Sequence, residues 1–137
     1  MACTAPYRTN KRTPQADELV TRSQMKIIDK TIAEHYTWGQ NCDGWRFVRT
    51  DAISVIRELM PPHTCEICHK HIKSRQFFFV LSGEAIIEIE GESQVLHPEQ
   101  GLEISPGAVH QIFNNSNTDL NFLVISCPPS YNDRINV

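Results

Sequence analysis

Between Pro61 and Gly83 the chain reads PPHTCEICHKHIKSRQFFFVLSG, and between Gly101 and Asn114 it reads GLEISPGAVHQIFN. In the first stretch His69 and His71 stand two apart. Residues i and i+2 of a strand point to one face, so two imidazoles at that spacing can converge on one ion, whereas adjacent residues cannot. In the second stretch His110 follows a tight Pro106-Gly107 turn. A third imidazole delivered from another strand completes a facial three-nitrogen site with open positions. That donor set suits one divalent transition metal: Fe, Mn, Ni, Cu, Co or Zn. The competing reading leaves His69 and His71 as polar residues on an exposed strand face, and His110 in its turn weighs against it. Cys65 shares parity with His69 and His71 if the strand is regular, which would add a soft ligand or redox group. Free thiols packed as small hydrophobes are the plainer reading of Cys65 and Cys68.

Outward from these stretches the chain reads as short strands. Ile53, Val55, Arg57 and Leu59 alternate with Ser54, Ile56, Glu58 and Met60 until Pro61-Pro62 stops the run. Gln76 to Leu81 is a short aromatic and apolar run suited to a buried strand. Ala85, Ile87 and Ile89 alternate with glutamates, and Glu90-Gly91-Glu92-Ser93 turns the chain into a return strand, Gln94 to His97. Leu102 to Ile104, Val109 to Asn114 and Leu120 to Ser126 complete the set. Short strands separated by Gly and Pro turns predict an all-β sandwich or barrel from about Trp45. Met1 to Ser23 is rich in Thr, Pro, Arg and Gln without a period. Residues 1–24 are therefore expected to form a flexible extension, and residues 25–137 a single barrel domain. A helix from about Gln15 to His35 competes with this, on a loose stripe of Leu19, Val20, Ile27, Ile28 and Ile32.

The two histidine stretches resemble the paired motifs of the cupins, small double-stranded β-helix barrels of jelly-roll type. The first cupin motif has two histidines as HxH, a glutamate after three or four residues, and six further residues to a glycine. His69, His71, Gln76 and Gly83 fall on it. The second runs from a glycine through a proline and a second glycine to a histidine, then three residues to an asparagine. Gly101, Pro106, Gly107, His110 and Asn114 match in order, with Gly101 one residue nearer the proline and Pro106 directly followed by Gly107. The resemblance spans Trp45 to Ser126. It implies a metal on His69, His71 and His110, with Gln76 at the carboxylate position as a neutral carbonyl ligand or as a hydrogen-bonding neighbour. The apolar barrel interior is expected to include Phe79, Ile87, Ile104 and Ile112. Proteins similar to this one include dioxygenases, sugar-phosphate isomerases, epimerases, decarboxylases and lyases, and they commonly pair as homodimers.

A three-histidine site with a neutral fourth ligand leaves the ion's charge uncompensated, which favours a small polar or anionic organic ligand. No further general base stands out, so metal-dependent oxidoreductase or dioxygenase-like chemistry is preferred to isomerase-like chemistry. The alternative is a non-catalytic barrel that binds or senses a small molecule such as a sugar. Other readings are weaker. Cys65-Glu66-Ile67-Cys68-His69 matches the haem-attachment pattern CxxCH, but that chemistry belongs to exported proteins. A zinc ribbon needs a second cysteine pair at similar spacing. Tyr36, Trp38 and Trp45 either rim a ligand pocket or simply pack, with packing preferred.

The chain has 137 residues, 40% of them apolar, enough for one domain with its own core. Thirteen Lys and Arg against sixteen Asp and Glu give a net charge of −3, which argues against nucleic acid as the partner. The longest apolar run, Phe77 to Leu81, is far too short to span a membrane. Five cysteines, an odd number, with no secretory signal suggest a reduced, cytoplasmic setting.

Overall fold

Among the described residues, 26–137 of this computed structural model, twelve strands follow one another and no helix forms. They are β1 (Glu34–Trp38), β2 (Cys42–Arg49), β3 (Ser54–Met60), β4 (Thr64–Cys65), β5 (His69–His71), β6 (Arg75–Ser82), β7 (Ala85–Ile89), β8 (Glu92–Leu96), β9 (Gly101–Ile104), β10 (His110–Asn114), β11 (Leu120–Cys127) and β12 (Arg134–Asn136). Strand structure starts at Glu34, ahead of the expected Trp45. The expected extension, 1–24, and the first part of the competing helix lie outside the described residues. Within the rest of that helix, residues 26–33 are coil and turn. The Asp29 carboxylate accepts hydrogen bonds from the Thr31 amide at 2.8 Å and the Thr31 hydroxyl at 2.6 Å, a local turn that competes with helical bonding.

The strands form two antiparallel sheets, ordered β1-β2-β3-β11-β6-β9 and β12-β5-β10-β7-β8, with β4 also paired to β10. They face each other as a jelly-roll barrel, the all-β architecture expected from the motifs. Alternation decides which side chains enter. Along β11, Leu120, Phe122, Val124 and Ser126 are buried while the residues between them are half-buried. The β7–β8 hairpin turns through Glu90 and Gly91, both at positive φ (49° and 82°), the pair of left-handed residues a two-residue hairpin loop requires.

The interior changes character along its length, and this positions the site. In the register between β6 and β11, Val80 faces Phe122, Phe78 faces Val124, and Gln76 faces Ser126. All six are buried. Ile87, Ile104 and Ile112 join Phe122 and Met60 in the apolar core. The barrel is thus closed by hydrocarbon at one end and lined with polar groups at the other. Phe79, expected inside, is half-buried on the outer face, where it stacks on Phe77. Phe78 takes the interior place, because the strand's two-residue period puts it on the same side as Gln76 and Val80.

Candidate metal centre

At the polar end, β5 and β10 run antiparallel with His69 directly opposite His110. Opposed residues of an antiparallel pair share a face, and so do residues two apart on one strand. The three imidazoles therefore meet. His69, His71 and His110 each offer a ring nitrogen within 4.8 Å of the others, and all three are 2% to 5% exposed. Their immediate surroundings fix the rings. His69 Nδ1–H donates to the Ile67 carbonyl at 2.8 Å, and His110 Nδ1–H donates to the Ala108 carbonyl at 2.9 Å. Each bond commits the proton to Nδ1 and leaves Nε2 as a lone pair. Burial, with mutual repulsion among the rings, holds the pKa of His69 and of His71 down to about 4; burial lowers that of His110 as well. Neutral imidazole is the form that ligates.

Main-chain bonds hold the segment carrying His71 from both sides. The Gly107 amide donates to the His71 carbonyl at 2.6 Å. Gly107 itself sits at φ 81° after Pro106, the left-handed position a Pro-Gly turn demands. On the other side β12 pairs with β5, with Arg134 opposite His71. The Asp133 carboxylate accepts the amides of Ile72, Lys73 and Ser74 at 3.1, 2.9 and 2.8 Å.

Gln76 is buried beside the cluster. Its amide donates to Ser126 Oγ at 3.1 Å, and its carbonyl oxygen has no partner. His110 Nε2 and His71 Nδ1 are likewise buried without partners. Orphaned buried acceptors grouped in this way fit a cation bound by imidazole and carbonyl donors. Cys65 does not reach the cluster: it is exposed, and Thr64 takes the buried position. Residues 66–68 are not strand, and that break cancels the parity that would have aligned Cys65 with His69.

A cavity of about 220 Å³ opens onto His69, His71 and Gln76. Its floor includes Ile56, Phe78 and Val124, and its walls carry groups that the sequence left unassigned: Tyr36, Trp38, Arg46, Glu58, Glu66, Tyr131 and Arg134. Tyr36, Gly44 and Glu58 lie in one row across β1, β2 and β3. The Tyr36 ring reaches over Gly44 and its hydroxyl donates to Glu58 at 3.0 Å. Only glycine permits this, because a Cβ at position 44 would stand 2.2 Å from Tyr36 Cζ. Burial, and then repulsion from Glu66, raises the Glu58 pKa to about 8 against the pull of Tyr36, Arg134 and Arg46. Glu66 pairs with Arg134 at 2.7 Å, yet burial still leaves its pKa above the usual carboxylate value. A signal for Glu58 was present in the sequence. It shares inward parity with Ser54, Ile56 and Met60, and an ionisable residue on a buried strand face is a functional-site candidate.

Comparison with known proteins agrees with this geometry. The cupin-domain family profile matches residues 56–126. An uncharacterized protein of Methanocaldococcus jannaschii is 26% identical over 76 residues, which are 56% of this chain and 61% of that protein. A protein described as a predicted oxalate decarboxylase, from Thermotoga maritima, shares the fold at a TM-score of 0.67 and 19% identity, over 76% of this chain and 100% of that one. The polyketide cyclase RemF from Streptomyces resistomycificus does so at 0.70 and 16%, over 82% and 85%. Such low identities establish shared architecture alone. With the family profile spanning β3 to β11 and both histidine motifs meeting at one end of the barrel, the chain belongs to the cupin family.

Proposed function

We propose that this protein is a metal-dependent enzyme that holds one divalent transition metal through His69, His71 and His110, with Gln76 Oε1 as a neutral fourth donor. Its substrate is a small polar or anionic organic molecule. The observation that carries the proposal is the convergence of three buried imidazole nitrogens within 4.8 Å of one another. A bound ion of this kind supplies Lewis-acid or dioxygen-binding chemistry. The chain's own residues supply the rest. Ile67 and Ala108 fix two imidazoles through their carbonyls. Ile56, Phe78 and Val124 keep the cavity floor apolar. Glu58, poised near neutrality and oriented by Tyr36, accepts or returns a proton on the substrate.

The preference for oxygen chemistry rested on the want of a general base. Glu58 removes that ground, so isomerase-like proton transfer becomes the favoured reaction. Dioxygenase-like chemistry is second, supported by the facial donor set. The proposal extends to a homodimer in the cytoplasm. Phe77 and Phe79 on the outer face of the β6-containing sheet, with Ile125 and Leu123 as their register partners, support the pairing. A monomeric mass by light scattering would remove it.

Elemental analysis of freshly purified protein tests the core of the proposal. The parent is expected to carry close to one metal ion per chain. His69→Ala and His110→Ala are expected to lose it while keeping the β-rich circular dichroism spectrum. A metal-free parent, or full retention in both variants, would overturn it. Oxygen uptake and solvent-deuterium incorporation with candidate substrates then separate the two chemistries, and a ligand bound but unchanged marks a non-catalytic binder.

A further inference from the structure

Among the described residues, seven buried side-chain nitrogen or oxygen atoms lack a hydrogen-bond partner. Five of the seven belong to one place: Arg46, His71, Gln76 and Tyr131 line the cavity, and His110 completes the histidine cluster. Native interiors seldom leave such atoms orphaned, so a concentration of them marks where something else supplies the partners. Three of the five, on His71, Gln76 and His110, can offer lone pairs, and a cation satisfies them. The other two have different needs. Arg46 Nε is a donor only, and the Tyr131 hydroxyl carries a proton to give. A cation cannot satisfy Arg46 Nε, and it leaves the Tyr131 proton without a partner. Both need an acceptor.

The charge at Arg46 is only loosely matched. The nearest carboxylate oxygen belongs to Glu34, 3.7 Å away on a largely exposed side chain. The guanidinium lies 4.2 Å over the Tyr36 ring, which leaves its edge available for hydrogen bonding. Arg134, the other arginine of the cavity, is already paired with Glu66 at 2.7 Å. Glu58 does not cancel Arg46 near neutrality, because burial keeps its carboxyl largely protonated below about pH 8. The cavity therefore offers lone pairs at the histidine end and, in its wall, a loosely paired guanidinium with two unpartnered donor groups.

We propose that the cavity receives a small hydroxy or oxo acid, with a neutral oxygen toward the histidine cluster and the carboxylate on Arg46 and Tyr131. The proposal rests on the metal-dependent reading of the site and names its substrate class. Size agrees: about 220 Å³ corresponds to roughly seven water volumes, the scale of a three- or four-carbon acid. A charge-assisted guanidinium–carboxylate contact would then set the selectivity for acids over neutral polyols of the same size.

Co(II)-loaded protein titrated with glycolate, glycerate and malate, with glycerol as the neutral control, tests this by visible absorption and calorimetry. At least one acid is expected to bind and shift the Co(II) bands, with glycerol at least about tenfold weaker. Arg46→Met is expected to weaken that acid by about tenfold or more and to leave Co(II) affinity itself within about twofold, with Arg46→Lys recovering part of the loss. Tyr131→Phe preserves the ring that packs against Arg49 at 4.7 Å and removes only the hydroxyl, so it probes the same contact even if position 46 proves intolerant. A loss of about threefold to tenfold is expected there. Equal binding of glycerol and the acids, indifference to Arg46→Met and Tyr131→Phe, or no binding of any of the three acids would overturn the assignment while the metal site stands. Failure of the parent to take up Co(II) would overturn both.

Discussion

Replacing Gly44 with alanine is expected to have opposite signs in two backgrounds. In the parent, the added methyl would stand 2.2 Å from Tyr36 Cζ and 2.6 Å from the Tyr36 hydroxyl oxygen, so the ring must swing away from the row it spans. The displacement costs the hydrogen bond to Glu58, about 1 kcal/mol. It also costs the stacking under Arg46, about 0.5–1 kcal/mol. Against this, Gly→Ala in a strand returns roughly 0.5–1 kcal/mol of chain entropy, since Gly44 has no positive φ to strain. The net is a loss of about 1 kcal/mol. In a Tyr36→Ala background the obstructing ring is gone and only the entropy gain remains, so Gly44→Ala becomes neutral or stabilising. Urea denaturation of the four proteins of the cycle measures the coupling directly, and about 1–2 kcal/mol is expected. A Gly44→Ala effect that is the same with and without Tyr36 would refute the account of the row.

Three further outcomes follow from other parts of the site. Asp133→Ala strips the acceptor from three amides beside His71 and is expected to weaken metal binding by roughly tenfold to a hundredfold; unchanged affinity by competition with a chelator would count against the clamp. Glu58 carries a carboxyl near 4.5 in the unfolded chain and about 8 in the folded one, so folding takes up a proton between those values and stability falls as pH rises through them. Relative to the parent, Glu58→Gln is expected to gain on the order of 2 kcal/mol between pH 4.5 and 8, after discounting about 1.4 kcal/mol per pKa unit for partial exposure; parallel pH–stability curves for the two proteins would contradict it. Phe78→Ala is expected to cost about 3–5 kcal/mol and Phe79→Ala less than half of that, so equal losses in denaturant melts would reverse the assignment of inner and outer faces.

Seven of the strands could be read from the sequence because their local chemistry agrees with their place in the barrel. β3 and β7 alternate, β6 is a short aromatic and apolar run, and Gly or Pro turns punctuate the segments from β6 to β11. The three histidines could be read because two lie on one strand and the third follows a Pro-Gly turn. The remainder was hidden for identifiable reasons. β12 is exposed at all three positions and is held by main-chain bonds to β5, so it has no apolar signature within the polar tail. In β1, the informative feature is Tyr36 lying over a glycine on the next strand, which no local pattern encodes. Three consecutive phenylalanines, Phe77 to Phe79, carry no parity of their own; the buried Gln76 two residues before Phe78 supplies it. Cys65 would share the inward face of His69 only if the strand period ran on through residues 66–68, where the chain breaks it. Glu58 and Glu66 gain their meaning only from the cavity between the sheets.

The strand that presents His69 and His71 is three residues long, and its neighbours come from near residues 110 and 134. Asp133 and the amides it holds are about 60 residues apart in sequence. No early segment of the chain can form the site by itself. An ion arriving before the late strands dock would meet separated imidazoles with little to distinguish them from histidines on any unfolded chain. An ion held by all three imidazoles would therefore belong to the finished barrel, and its binding would reinforce through mass action the strand pairing that creates the site.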